Sequence, residues 1–183
     1  VMKLDRDTIV NEALTLLDEL GLDAVSTRQL AKRLGVEQPS LYWHFRNKAS
    51  LLDAMAEAAI ASHATAPLPT PSDDWRDWLA ENSRSFRRAL LAHRDGARLH
   101  AGTTPQGTDL SRALHKLQFL VSAGLPEHDA RIAMLTTSHF TVGSVLEQQA
   151  EENDDSEGPG LDRAEAFEAG LALIVDGVAN RPR

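Results

Sequence analysis

The sequence predicts an all-α protein: a small N-terminal head of three helices, joined by a fourth helix to a larger helical body. Three observations carry this expectation. Apolar residues return at helical spacing from Ile9 to Val178, and no segment alternates as a strand would. Capping residues and glycines cut the first fifty positions into short helical pieces. Pro67, Pro69 and Pro71 then punctuate residues 66–74, which reads as a rigid linker into the longer helices that follow.

Asp5 is placed to cap a first helix over Arg6–Leu20, whose inner face is Ile9, Ala13, Leu16, Leu17 and Leu20, and Gly21 stops it. Ser26 followed by Gln29 has the form of a capping box ahead of Leu30, Ala31 and Leu34, and Gly35 ends this second, short helix. Pro39 suits the first turn of a third helix from Gln38 to about Phe45, because a proline there lacks only an N–H that would have no helical partner. Two short helices separated by Gly35-Val36-Glu37 form a helix-turn-helix pattern. Leu41 and Phe45 fit the small core of that head.

Asn47 can cap the fourth helix, which carries Leu51, Leu52, Met55, Ala59 and Ile60 on one side and ends near His63. Beyond the linker, helical patterns cover about 75–92, 95–101, 108–123, 127–149 and 162–180. The acidic run from Glu151 to Gly158 offers no apolar surface and reads as a loop. The expected division is a helix-turn-helix, DNA-binding domain over residues 1–46 and a ligand-binding and dimerisation domain over residues 47–183, with 47–64 as the connecting helix.

The chain has 183 residues, 42% hydrophobic and 25% charged, with no run approaching the ~20 apolar residues of a membrane span and nothing resembling a signal peptide. Its lack of cysteine excludes disulfides and thiolate chemistry and fits a cytoplasmic location. A net charge of −8 argues against a nucleic-acid partner only until its distribution is read. Between Ser26 and Ser50, Arg28, Lys32, Arg33, Arg46 and Lys48 face the single acid Glu37. A basic segment on an acidic body is the pattern of a DNA-binding head joined to a sensing domain, because only the head meets phosphates. A recognition helix also needs polar and aromatic side chains near its start, and Gln38, Pro39, Ser40, Tyr42 and His44 supply them. Arg28 is a candidate for bidentate contact with guanine.

The stretches Thr27 to Gly35 and Glu37 to Lys48, then Ser85 to Leu91, Arg94 to Ala97, His100 to Thr103, Ser138 to Thr141 and Leu146 to Gln149, closely resemble the TetR family of regulators, above all its tetracycline-responsive members. The resemblance implies a homodimeric repressor that leaves a palindromic operator when a small inducer binds. It also implies phosphate contacts from Thr27, Tyr42 and Lys48, with Trp43 at their rim. By the same resemblance the ligand-contacting positions are Asn82, Phe86, His100, Thr103, Pro105, Lys116, Met134 and Glu147. The ligand brings a Mg2+ ion, held directly by His100 and through water by Thr103 and Glu147, with the glutamate serving the partner's ligand across the dimer.

There are departures from the family pattern. Where the family has a histidine at the end of the fourth helix this chain has Ala64, preceded by His63; Thr104 replaces an arginine and Lys116 a glutamine. After Gln149 the family's lid helix is represented only by residues 150–160. His139, Phe140, Gly143 and Leu146 are expected to face the twin subunit with Ala172, Leu173, Val175 and Val178. No nucleophile and base stand at catalytic spacing, and an enzyme would leave the basic helix-turn-helix unexplained. A repressor with a metal-free inducer, and a constitutive DNA-binding protein, remain as alternatives.

Overall fold

The computed structural model describes residues 4–101, 108–151 and 162–181. Among these, ten α-helices and no strand are present: α1 (Arg6–Leu20), α2 (Thr27–Leu34), α3 (Gln38–Tyr42), α4 (Lys48–Ala59), α5 (Ala61–Ala64), α6 (Trp75–Leu91), α7 (Gly96–His100), α8 (Thr108–Ser122), α9 (Glu127–Glu151) and α10 (Arg163–Ala179). They form two compact units, residues 1–61 with 89–103, and residues 62–88 with 104–183.

In the first unit, local capping sets the helix limits. The Asp5 carboxylate accepts from Thr8 N at 2.9 Å and opens α1. Ser26 Oγ accepts from Gln29 N at 3.2 Å. The expected capping box is closed on this side only, because the Ser26 hydroxyl turns toward Gln29 Oε1 at 3.4 Å and donates to it. A reciprocal box does form at α4, between Asn47 and Ser50. Gly35 takes φ 67°, ψ 30°, the left-handed conformation that lets the chain leave α2 and turn into α3. Ile9, Leu17, Val25, Leu30, Leu41, Phe45, Leu51, Met55 and Leu99 share one core. Removing each such side chain from water is worth ~1.5–3 kcal/mol, enough together to hold helices of five to eight residues that would melt alone.

Two expectations about this region need correction. The third helix stops at Tyr42 rather than near Phe45; the next turn closes with bonds from His44 N and Phe45 N to Leu41 O, both 3.0 Å. The fourth helix ends at Ala59, with Ile60 at φ −99°, ψ 10° outside it, and α5 follows as a separate short helix. A 3-10 turn at Leu22–Ala24, unforeseen in the sequence, links α1 to α2.

Helix α7 belongs to this unit, and carboxylates fasten it there. Asp18 accepts from Arg94 N at 3.0 Å and lies 3.0 Å from His93 Nδ1. Buried Asp95 accepts from Leu22 N at 2.8 Å, and Arg98 reaches Asp23 at 3.1 Å. α7 is therefore held to the corner between α1 and α2 as well as packed on α4.

The second unit centres on Trp75, Leu79, Leu120, Ala133, Phe167 and Leu171. Phe140 stacks on Phe167 at 5.3 Å between centroids, and Trp78 meets Phe119 edge-on at 5.2 Å. Polar links tie the helices at their borders: Arg84 to Glu168 at 2.7 Å, Arg87 Nη2 to Gln148 Oε1 at 2.6 Å, and Arg181 to Asp129 at 2.7 Å. Phe140, Val175 and Val178, which the sequence suggested would face a twin, pack against this core of their own chain. Phe167 supplies the partner surface that helical spacing alone did not reveal. What stays exposed on α9 and α10 includes Ile132, Leu135, His139, Ala172 and Leu173, the last 74% exposed.

Candidate functional site

The first unit carries a polar and aromatic face built from α2, α3 and the start of α4. Gln38, the first residue of α3, donates from Nε2 to Thr27 Oγ1 at 2.9 Å and lies 3.4 Å from the Tyr42 hydroxyl. That one amide gathers three of the sequence-predicted residues. Arg28, Pro39, Tyr42, Trp43 and Lys48 are exposed, while Ser40 and His44 are half-buried. Trp43 is 90% exposed and Tyr42 49%. Neither ring packs under the head, whereas Leu41 and Phe45 do. A tryptophan so completely in water buries nothing in the isolated chain, so its location suits contact with a partner surface.

The basic residues are not all available to such a partner. Arg33 is bound by Glu12 at 2.5 Å and by Glu19 at 2.8 Å through Nη2, and the guanidinium holds the Glu19 carboxyl below the usual carboxylate range. Arg6 donates to His44 O at 3.1 Å and stands 4.4 Å over the Phe45 ring, bracing the turn after α3. The segment's positive charge is therefore presented chiefly by Arg28, Lys32, Arg46 and Lys48, all exposed.

His100 is the last residue of α7 and half-buried. Burial pushes its pKa below the ordinary histidine value, so the ring is neutral near physiological pH and one nitrogen carries a lone pair. That is the form a metal requires of an imidazole. Thr103 and Pro105 lie outside the described residues. Glu147 is 73% exposed on α9 and stands 3.5 Å from Arg163. Among the described residues no group of three or more His, Asp or Glu side chains could hold a metal ion. A single protein nitrogen fits a magnesium ion that keeps its waters and takes its remaining ligands from a chelating molecule, rather than a permanent cage.

In the second unit, Asn82 and Phe86 lie one turn apart on α6, as their spacing predicted. Lys116 on α8 donates from Nζ to Asn82 Oδ1 at 2.7 Å. His63 was noted in the sequence only as a neighbour of Ala64, yet its ring lies 5.1 Å from that of Phe86 and its Nδ1 3.1 Å from Ser85 Oγ. His63, Asn82, Phe86 and Lys116 therefore form one cluster of polar and aromatic groups. Met134 is half-buried against the core of this unit.

Residues 9–55 match the family described as bacterial regulatory proteins, tetR family, and residues 67–164 match the tetracyclin repressor-like C-terminal domain. The chain is 50% identical to the class A tetracycline repressor protein from transposon 1721 of Escherichia coli, over 98% of this chain and 92% of that one. A structure of class A TetR in complex with 5a,6-anhydrotetracycline and magnesium superposes with a TM-score of 0.86 at 50% identity, covering 98% and 100% of the two chains. A TetR-family transcriptional regulator from Streptomyces coelicolor is 58% identical, with a TM-score of 0.79 over 100% of this chain and 99% of that one.

Proposed function

Because the chain belongs to the TetR family of bacterial regulatory proteins, we propose that it is a homodimeric transcriptional repressor released from its operator by a planar, magnesium-chelating inducer of the tetracycline type. The observation that carries this reading is the joint presence of the exposed Tyr42–Trp43 face on the helix-turn-helix and of the half-buried His100 at the end of α7. Residues 1–46 read DNA, residues 47–64 connect, and the remainder binds ligand and dimerises. The exposed apolar residues Leu135 and Leu173 give α9 and α10 a face for the twin subunit.

Each residue has a role set by its chemistry. Thr27, Tyr42 and Lys48 bond phosphate oxygens; Arg28, Gln38, Pro39, Ser40 and His44 meet base edges; Trp43 packs at the rim. His100 offers its lone pair to the magnesium ion, while Thr103 and the partner-facing Glu147 hold its waters. Bound magnesium supplies a Lewis acid that fixes the inducer's keto-enol oxygens. Asn82, Phe86, Pro105, Lys116 and Met134 contact the inducer's rings. α7 shares its compact unit with α1 and α4, so an inducer that orders the end of α7 acts directly on the elements that carry the reading helix.

The reading is tested by fluorescence anisotropy on a near-palindromic operator whose half-sites lie about one helical turn apart. Magnesium with anhydrotetracycline should release the protein, and EDTA should prevent release. Reversing a 99:1 population requires ~5.5 kcal/mol of preference for the released form, so partial release at saturation would mean a weaker coupling than the reading needs. Light scattering should give twice the chain mass without DNA, and a monomer at micromolar concentration would contradict the dimer.

The division of labour within the head has its own test. Arg28→Ala should lose ~1–3 kcal/mol on the operator and discriminate less between bases, since a bidentate guanine contact carries that much. Lys48→Ala should weaken operator and random DNA alike and flatten the salt dependence. Equal losses on both DNAs for the Arg28 variant would remove it from the base contacts.

A further inference from the structure

Within the first unit, α4, α7 and the 3-10 turn at Leu22–Ala24 leave a cavity of about 220 Å3 between them, lined by none of the residues assigned to the inducer. Its walls are chiefly Leu22, Ala49, Leu52 and Leu99, so water inside finds few of the polar partners that would hold it. Apolar surface that displaces such water gains affinity. The volume falls below the ~300–1,000 Å3 of sites for drug-sized ligands and suits one or two rings. Charge at the rim favours a cation. Arg98 and Asp53 are the charged residues that line the cavity. The Arg98 guanidinium is already committed, to Asp23 at 3.1 Å and to Asp95 at 3.3 Å. Asp53 is exposed, and its carboxylate has no hydrogen-bond or ion-pair partner among the described residues. Its neighbours one turn away on α4, Ala49, Ser50, Ala56 and Glu57, include no cation that could neutralise it. Three carboxylates therefore stand at this rim against one guanidinium.

We propose that this cavity is a second ligand site, for a small amphipathic cation whose one or two rings lie among Leu22, Leu52 and Leu99 and whose ammonium pairs with Asp53. Burial of the rings supplies most of the affinity, because an ion pair with an exposed carboxylate adds little on its own. Asp53 supplies the choice of charge. A ligand seated there touches α4, α7 and the 3-10 turn at once. It therefore adds to the fastening of α7 that Asp18, Asp95 and Arg98 already provide, and the site stands whether or not the inducer is of the tetracycline type.

Matched probes separate charge from shape: 1-naphthylmethylammonium and 1-naphthalenemethanol share a ring system and differ in the charge of one substituent. NMR titration of the full chain near neutral pH, without magnesium or drug, should show both probes binding saturably. The ammonium should bind about two- to fivefold more tightly, the range of an exposed ion pair. Amide shifts in the wild-type protein should centre on Leu22, Leu52 and Leu99, and the melting temperature should rise with probe concentration. Asp53→Asn should bring the two probes level. Ala49→Phe, which sets a ring at the edge of the cavity, should weaken both about tenfold or more. No saturable binding, shifts centred elsewhere, a preference for the ammonium that survives in Asp53→Asn, or unchanged binding in a folded Ala49→Phe variant would each overturn the proposal. The location of the shifts in the wild type decides the matter if Ala49→Phe does not fold.

Discussion

Gly96→Ala is expected to lower the melting temperature by roughly 6–12 °C, a large effect for one added methyl group. An ideal Cβ at this position lies inside the contact distance of the Leu90 carbonyl oxygen and 3.1 Å from its carbonyl carbon. Both are backbone atoms of the last turn of α6, so no side-chain rotation can relieve the clash. Overpacking in a core that can yield costs ~1–3 kcal/mol; here the cost should reach ~3 kcal/mol, and a chain of this size loses about 2–4 °C per kcal/mol. The joint cannot open freely, because Asp18 holds Arg94 and Asp95 holds Leu22 just before Gly96, and Arg98 holds Asp23 just after it. Asp95 itself sits at φ 56° to make the turn. Calorimetric melting checks the stability, and a wild-type transition would mean that α7 has more freedom than its contacts indicate. In protein folded well below the transition, displacement of α7 should also weaken inducer binding.

Much of the architecture was legible because helices announce their ends locally. Asp5, Ser26, Gly35, Asn47 and Asp162 all stand where the structure caps or closes a helix. The family resemblance implied a DNA-facing set, and the structure adds why three of its members stand together: the Gln38 amide bridges Thr27 and Tyr42. What could not be read is whatever depends on partners far along the chain. The carboxylates of Asp18 and Asp95 bind groups 76 and 73 residues away, and nothing in the pattern around an aspartate reveals so distant an acceptor role. Nor does anything on its own helix hint that Phe140, expected at the interface, stacks on Phe167. The place of His63 was missed for a different reason. With Ile60 outside both α4 and α5, a register counted through one continuous helix does not bring the His63 ring beside Phe86.

His100→Ala should remove magnesium-dependent inducer binding while sparing the head. Removing a hydrogen-bond partner that orients a metal ligand already costs about ten- to a hundredfold in affinity, so deleting the one nitrogen assigned to the ion should weaken binding of magnesium–anhydrotetracycline by about a hundredfold or more. The side chain is also half-buried, and alanine leaves space that could destabilise α7 on its own account. His100→Gln therefore serves as the control, since it fills similar volume and offers a harder oxygen donor that a magnesium ion accepts. If the imidazole acts through the metal, the alanine variant should bind drug weakly and indifferently to EDTA. The glutamine variant should retain part of the EDTA-sensitive affinity, and all three proteins should bind operator alike in the absence of drug. Drug fluorescence reports the first two quantities and operator anisotropy the third. Wild-type binding that ignores EDTA would make the inducer metal-free and leave His100 a packing residue at the end of α7. Equal loss of operator binding in both variants would instead place its contribution in the fold of the first unit, where α7 lies against α4.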